Sequence, residues 1–330
     1  MIARPRITAV RPVSAIAGGR VTIEGSDFPI DGSHPEVRIG DERARTVHAS
    51  PTALTVIIPP SGDGRTAVRV EGVSGETAYV DVAAPFAAGL HQVDSPAFDR
   101  DGNLYVTYSG TRGQEVPVSI FRVRPNGTRE TFSSGIVNPT SLAIDADGQL
   151  YVSSRFEGTV YRVAPDGTFT PFASDLGVAC GLAFAPDGTL FVGDRSGTIF
   201  RVDRDGRATP FAALPPSVVA FHLALAPDGS LYVTAPTLSS YDSIYQILSD
   251  GTVTARYTGF GRPQGLAFDA SGMLFVVEAL AGSSGLYRFP ADGPPELVLA
   301  GPGLVGVAFG PRGSLVVCSN ETAYRLVKSG

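Results

Sequence analysis

Six positions in this chain recur at intervals of 40 to 46 residues, each at the start of a short apolar run, and several carry side chains capable of chemistry. They are Asp94, Thr140, Cys180, His222, Gln264 and Val305. A histidine exchanges protons near neutral pH, and a carboxylate beside it orients the ring and stabilises its charged form. His222 and Asp94 are therefore candidates for a general base and its supporting carboxylate.

A second set of residues follows the next apolar run of each repeat. It comprises Tyr108, Ser154, Arg155, Asp194, Glu278 and Asn320. Glu278 is the alternative acid or base, although a solvated charge at the rim of a site is the commoner role for such a residue. Arg155 is a candidate for binding a substrate carboxylate or, as the plainer interpretation, for an ion pair with Asp194.

Cys180 allows two interpretations. It can be a nucleophile with His222 one repeat away, or, more commonly for a lone cysteine, a small buried hydrophobe. Together with residues from both sets, it completes the predicted substrate contacts. These are Arg155, Thr140, Cys180, Asp194, Gln264, Tyr108 and Asn320.

A six-residue pattern, Asp-Gly-x-Leu-aromatic-Val, fixes where these side chains stand. Its glycines are 46, 40, 41, 43 and 41 residues apart, and the last two copies are looser than the first four. Asp-Gly favours a tight hairpin turn, because glycine adopts positive φ without a steric penalty. Short strands repeated about every 40 residues are typical of a β-propeller with one blade per repeat.

The repeat also predicts how the ring closes and which side chains meet. A hairpin places the start of the first strand and the end of the second strand on the same side of a blade. In a six-membered ring, blade one faces blade four, so Asp94 and His222 should face each other across the axial funnel. The sixth repeat lacks a fourth strand, and residues 82–88, which precede the first repeat, should supply it and close blade six.

Residues 1–81 lack the repeat and read as a small antiparallel β-sandwich of alternating β-branched runs. Their Gly-Gly-x-Val-Thr-Ile-x-Gly-x-x-Phe stretch, followed by Val-x-Ile-Pro-Pro, resembles a TIG/IPT immunoglobulin-like domain. That resemblance implies a structural or interaction module that could bind a protein or glycan partner. The expected fold is all-β: an immunoglobulin-like sandwich over 1–81, then a six-bladed β-propeller over 82–330.

The repeats of residues 82–330 resemble the six-bladed propellers of the NHL-repeat and gluconolactonase/regucalcin-like group. The lactonase resemblance implies a divalent cation held by Glu, Asn and Asp side chains on the inner strands. Asp94 can fill the first of these positions, and Asn138 lies two residues out of register with the second. The remaining positions hold residues that suit such a cation poorly, namely Thr140, Cys180, His222, Gln264 and Val305. No cofactor is expected, and the ligand pattern does not support a divalent metal.

The composition of the chain limits the classes of binding partner that are expected. The net charge is −6 and the 26 basic residues are scattered, which argues against nucleic-acid or membrane binding. The chain shows no apolar signal region, so a cytoplasmic location is expected. Two hypotheses remain. One is an enzyme that acts on a small molecule in the funnel, by lactone or ester hydrolysis or by other acid/base chemistry. The other is a non-catalytic NHL-type scaffold that binds proteins or glycans.

Overall fold

The structure, a computed structural model, describes residues 4–30, 34–60, 62–279 and 283–326. Within these ranges the regular structure is β-strand, apart from one short 3-10 turn at Pro311–Gly313. No helix in the described ranges has the length and apolar character needed to cross a membrane. The strands form a β-sandwich that is followed by a β-propeller.

The sandwich contains the first eight strands. They are β1 (Arg6–Arg11), β2 (Ser14–Ala15), β3 (Arg20–Ser26), β4 (Val37–Ile39), β5 (Glu42–Ser50), β6 (Ala53–Ile57), β7 (Gly64–Val70) and β8 (Ala78–Val82). The first part of β5 pairs with β4 and the rest pairs with β6, so this strand links the two layers. Buried side chains alternate along β3 and β6 and meet in one apolar core. This alternation is what a two-layered sheet with one solvated face requires.

Five separate four-stranded antiparallel sheets form blades of the propeller. Four of these sheets each consist of four strands that are consecutive in the chain. The first contains β10 (Ala97–Phe98), β11 (Leu104–Thr107), β12 (Ile120–Val123) and β13 (Arg129–Ser133), and the second contains β14 (Pro139–Ile144), β15 (Leu150–Ser154), β16 (Thr159–Val163) and β17 (Phe169–Ala173). The third contains β18 (Ala179–Phe184), β19 (Leu190–Asp194), β20 (Thr198–Val202) and β21 (Ala208–Ala213), and the fourth contains β22 (His222–Leu225), β23 (Leu231–Thr234), β24 (Asp242–Ile247) and β25 (Val253–Phe260). The fifth contains β30 (Leu304–Phe309), β31 (Leu315–Ser319), β32 (Thr322–Leu326) and β9 (Ala84–Ala88). In this fifth sheet β9 pairs antiparallel with β32, so residues from before the first repeat lie at the edge of the last one.

The expectation of six separate blades is wrong, because the strands of the fifth repeat are not a sheet of their own. They are β26 (Pro263–Phe268), β27 (Leu274–Glu278), β28 (Gly285–Phe289) and β29 (Glu296–Ala300). The outer strand β29 pairs in parallel with β2 of the sandwich, and β2 pairs in parallel with β8. The four strands therefore belong to a 12-stranded sheet that runs from the sandwich into the propeller.

The predicted Asp-Gly turn is present in the second repeat. Gly148 has φ of +87°, and its amide donates to the carbonyl oxygen of Asp145 at 3.1 Å. The Asp145 carboxylate accepts from the amides of Asp147 and Gln149, at 2.9 Å each. A glycine is favoured here because other residues are strained at this φ.

Burial differs between inner and outer strands for a simple reason. The second strands β15, β19 and β27 are buried along their whole length, because neighbouring blades cover both of their faces. The outermost strands β13 and β17 keep several exposed positions. The innermost strands contact one another in the order β10, β14, β18, β22, β26, β30, and β30 contacts β10. In this circuit β10 and β22 lie opposite each other.

Candidate functional site

His222 and Asp94 meet at the axis of the propeller. His222 begins β22 and Asp94 lies just before β10, and the His222 Nδ1 atom is 2.5 Å from the Asp94 Oδ1 atom. Both residues are buried, with 0% and 3% of their surface exposed. An ionised carboxylate can only accept, so Nδ1 carries the hydrogen of this bond, and in the neutral ring Nε2 then carries the lone pair. Nε2 is buried and has no hydrogen-bond partner among the described residues.

The segment that carries Asp94 is held firmly. The amide of Ser95 donates to Asp94 Oδ1 at 2.6 Å, and Gln92 Nε2 donates to the Asp94 carbonyl oxygen at 2.6 Å. Gly306, on β30, makes this approach possible, because a Cβ atom there would lie 2.7 Å from the Ser95 Cα atom. Asp94 is therefore fixed in position before any ligand binds.

Thr140, Cys180, Gln264 and Val305 are each the second residue of an inner strand, as the repeat predicted. Thr140, Cys180 and Gln264 are buried, and Val305 is partly buried. The Thr140 hydroxyl donates to the Asn138 carbonyl oxygen at 3.1 Å, and the Gln264 carbonyl oxygen accepts from Thr234. These four residues therefore occupy equivalent positions on the inner strands of the second, third, fifth and sixth repeats.

Cys180 is held as a thiol. The pKa of this thiol is raised to about 12, mainly by burial and also by the Asp94 charge, while a hydrogen bond with the Phe221 backbone and the charges of Arg155 and Arg195 act in the opposite direction. The side chain packs in an apolar cluster and is 1% exposed. A nucleophilic cysteine needs the opposite, a lowered pKa and some exposure. The geometry favours the small buried hydrophobe over the nucleophile.

Glu278 and Asp194 occur at the same place in their blades, the last residue of the second strand, and both hold a loop. Glu278 accepts from the amides of Gly261 and Arg262, at 2.9 and 2.7 Å. Asp194 accepts from the amide of Val178 at 2.8 Å. Each carboxylate thereby fixes the segment leading into the first strand of its own blade. Ser154 does the same with its hydroxyl, which donates to the Val137 carbonyl oxygen at 2.6 Å.

Arg155 does not form the expected ion pair with Asp194. Within the described ranges its side chain donates one long hydrogen bond, 3.4 Å from Nη2 to the Gly110 carbonyl oxygen. Instead it lines a pocket of about 500 Å³ together with Arg112, Val178, Arg195 and Ser196, which we call the arginine pocket. The Asp194 carboxylate accepts instead from the amides of Val178 and Ser196 and from the Ser196 hydroxyl.

Tyr108 directly follows β11 in the first blade, and Asn320 directly follows β31 in the last blade. The backbones of Tyr108 and His91 form an isolated parallel β-bridge, and the centroids of their rings are 5.9 Å apart. Asn320 Nδ2 donates to the Gln92 carbonyl oxygen at 2.7 Å, which joins the segment before β10 to the last blade. Burial lowers the pKa of His91, Arg155 lowers it further, and Glu321 raises it. Arg155 and His91 are thus close enough to act on each other electrostatically.

The residues present do not fit the divalent cation of the lactonase resemblance. Asp94 is engaged with His222 and Ser95. Asn138 uses its whole amide elsewhere, since Nδ2 donates to Ser109 and Thr111 and Oδ1 accepts from Gly113. Within the ranges that the structure describes, no three His, Cys, Asp or Glu side chains converge as metal ligands would. A hard cation prefers several free oxygens, and this donor set does not offer them.

Two residues of the arginine pocket, Arg112 and Arg195, were not predicted from the sequence. Arg195 follows β19 just as Arg155 follows β15, so the repeat itself carried the signal. Arg112 lies in the segment between β11 and β12, which is longer than the matching segments of the next two blades. An insertion at a funnel mouth is a common position for a binding loop, and its length was the signal available for Arg112.

The comparisons with known proteins agree with this architecture. Residues 5–83 match the IPT/TIG domain family, so the sandwich is a TIG domain. No curated protein matches the sequence. The remainder of the chain is a β-propeller with gluconolactonase-like and virginiamycin B lyase structural neighbours.

Three solved structures illustrate the similarity. An auxiliary nutrient binding protein from Bacteroides ovatus has 15% identity and a TM-score of 0.57, and covers 99% of this chain and 98% of its own. A gluconolactonase from Xanthomonas campestris has 16% identity and a TM-score of 0.61, over 90% of this chain and 99% of its own. A virginiamycin B lyase from Staphylococcus aureus, in a histidine-to-alanine variant described as catalytically inactive and with quinupristin, has 14% identity and a TM-score of 0.53, over 93% and 99%. At these identities the similarity concerns the fold alone.

Proposed function

We propose that this protein is an enzyme that carries out acid/base chemistry on a small molecule in the propeller funnel, with His222 as the general base. The reaction is hydrolysis of a lactone or ester, or an elimination of the lyase type. The observation that carries the proposal is the buried His222–Asp94 hydrogen bond, which leaves Nε2 without a partner at the propeller axis. A structural histidine would be expected to use both ring nitrogens, because an unpaired buried polar atom costs free energy.

The mechanism follows from the tautomer. Nε2 accepts a proton from a water molecule or from a substrate C–H bond, and the ring becomes an imidazolium. Asp94 stabilises that charge through the Nδ1 hydrogen bond. In hydrolysis the resulting hydroxide attacks the carbonyl carbon, and the imidazolium returns the proton to the leaving oxygen. Arg155 is a candidate to offset negative charge that develops on the carbonyl oxygen.

The test uses His222→Asn rather than alanine. Alanine would leave the Asp94 carboxylate buried and unpaired, which is strongly destabilising. The asparagine amide can still donate to Asp94 while it removes Nε2. On a substrate found by screening lactones and nitrophenyl esters, we expect turnover to fall about a hundred- to ten-thousand-fold, with cooperative melting retained.

His48→Ala, in the TIG domain, is the matched control and should leave turnover unchanged. Full activity of His222→Asn would refute the role of His222. In that case Glu278→Gln would test the runner-up, although its carboxylate is occupied by the Gly261 and Arg262 amides.

A second candidate is a non-catalytic binding protein. It is favoured by the auxiliary nutrient binding protein from Bacteroides ovatus, whose similarity extends over the sandwich and the propeller together. Three exposed apolar side chains also lie in segments that follow second strands: Phe156, Leu238 and Tyr241. In this version the funnel binds a small molecule without turning it over, and the TIG domain binds a protein or glycan partner. Saturable ligand binding without turnover of that ligand would favour this candidate.

We further propose that strands β26–β29 fill the remaining position of a six-membered, NHL-like ring. Support comes from β26, which contacts β22 on one side and β30 on the other. On this basis the sandwich unit is 1–81 and the propeller unit is 82–330, with residues 82–88 as the strand that closes the last blade. A cytoplasmic location stays a prediction.

A further inference from the structure

The arginine pocket has an unusual charge for an acidic protein. Three guanidinium groups, those of Arg112, Arg155 and Arg195, line one cavity of about 500 Å³, while the whole chain carries a net charge of −6. Among the described residues, none of the three arginines forms an ion pair with a carboxylate. Like charges held together without a counter-charge repel one another, so a bound anion would stabilise the arrangement.

The neighbouring charges bear this out. Burial lowers the pKa of Arg155, Arg195 and Arg112 lower it further, and only the Cys180 thiol acts in the opposite direction. In the part of the chain that the structure describes, no carboxylate is among the groups that shift the pKa of this guanidinium. Arg195 uses its Nε to donate to the Ser217 carbonyl oxygen at 3.2 Å, which leaves its terminal nitrogens for a ligand.

The fold places the three arginines at this pocket, although the side chains of Arg112 and Arg195 are exposed and that of Arg155 is partly buried. Arg155 and Arg195 follow equivalent strands, β15 and β19, in adjacent blades. The loop of Arg112 is held by Asn138, whose amide bonds to Ser109, Thr111 and Gly113 on both sides of the arginine. Asn138 is fully buried, and it adopts a positive φ of 47°. This geometry places the arginine-bearing loop beside the pocket.

We propose that the arginine pocket binds the carboxylate or phosphate group of a small-molecule ligand. Guanidinium groups match the paired oxygens of both anions through two parallel N–H···O bonds. The pocket includes Val178, two residues before Cys180, and Cys180 lies within electrostatic range of Asp94 as well as of Arg155 and Arg195. A molecule anchored there by its anionic group extends toward the His222–Asp94 pair. That this molecule is the substrate rests on the function proposed above; the anion binding does not.

The test is calorimetric titration of the full chain with inorganic phosphate and, separately, with citrate, at constant ionic strength set by sodium chloride. We expect saturable binding of at least one anion. Stronger binding of phosphate identifies a phosphate group, and stronger binding of citrate identifies a carboxylate. Arg112→Gln and Arg155→Gln should each weaken binding about tenfold or more, the loss expected for one charged hydrogen bond. Arg112 is exposed, so its variant should fold normally.

Arg207→Gln is the matched control. Its side chain is 78% exposed in a hairpin turn and pairs with Asp205, so anion binding should be unchanged. The proposal is overturned if neither anion binds more tightly than about 1 mM, or if the Arg112 and Arg155 variants bind like the unaltered chain. His222→Asn should keep anion binding, since His222 does not line the pocket. If His222→Asn loses turnover but the unaltered chain binds no anion, only the arginine pocket is refuted. If the unaltered chain binds an anion but His222→Asn keeps full turnover, only the role of His222 is refuted.

Discussion

Asp94 and Glu278 are two buried carboxylates in one propeller, and they have different partners. Asp94 is 3% exposed and is hydrogen-bonded to a histidine side chain from the opposite inner strand. Glu278 is 8% exposed, and it accepts from two backbone amides of its own blade. Asp194 resembles Glu278 in binding the loop that enters its blade.

This difference shows how to distinguish a carboxylate that belongs to a candidate functional site from one that only holds a loop in place. A carboxylate whose two oxygens both accept from backbone amides, as those of Glu278 do, fixes a loop and has little left to offer a ligand. A carboxylate that pairs with an imidazole sets the tautomer of the ring and prepares the far nitrogen for proton transfer. On this ground we propose the His222–Asp94 pair as the centre of chemistry, and the residues that end the second strands as the groups that hold the surrounding loops.

The largest effect should come from Asp94→Asn. The amide is similar in size, but it cannot stabilise an imidazolium as a carboxylate does. Turnover should fall about a hundred- to ten-thousand-fold, as measured by kcat on the substrate that the His222 experiment identifies. Asp147→Asn, at an exposed turn, is the control. A kcat for Asp94→Asn equal to that of the unaltered chain would show that Asp94 is no more functional than Glu278.

The next effect concerns the rate at which the buried Cys180 thiol is alkylated, which reports the access of solvent to the propeller axis at this residue. With Cys318→Ala as background, alkylation of Cys180 by iodoacetamide at pH 8 should be about a thousandfold slower in the folded protein than in urea. The pKa of Cys180 is about 12 against an ordinary value of 9.0, and each pKa unit changes the thiolate fraction about tenfold.

The raised pKa of Cys180 also makes the stability of the folded protein depend on pH. The folded state keeps this thiol protonated where the unfolded chain ionises it. Its stabilising contribution is therefore complete below about pH 9 and is lost as pH rises toward 12.

Equal alkylation rates of Cys180 in the folded and unfolded protein would contradict the predicted protection and would mean that the axis is open to solvent at this residue.

The smallest effect on turnover should come from Glu278→Ala, which should instead lower stability. Removing the acceptor of two backbone amides should cost about 3 kcal/mol in the free energy of unfolding by urea, with little change in kcat. Glu296→Ala, on the exposed outer strand of the same blade, should cost less than about 0.5 kcal/mol. A large loss of turnover at unchanged stability would reverse the assignment of Glu278 and make it a catalytic residue.

Much of the geometry around the axis could be predicted because the repeat is regular. The spacing of the six axial positions implied that Asp94 and His222 face each other, and the structure places them in hydrogen-bonding distance. The roles of Glu278 and Arg155 could not be predicted in the same way. Glu278 is satisfied by amides 16 and 17 residues away, and Arg155 is surrounded by arginines from other blades. A position in a repeat specifies a place, but it does not specify the partners that packing brings there.

The sequence by itself determined the β-propeller, its turns and the sandwich before it. Turn glycines, alternating apolar residues and a period near 40 act through local geometry, which needs no distant partner. Only the tertiary structure decided that β2 joins β29, which merges one repeat with the TIG domain, and that Arg112, Arg155 and Arg195 share a pocket. Those outcomes depend on contacts between residues far apart in the chain, and the free energy of such contacts is set by packing that a linear pattern does not encode.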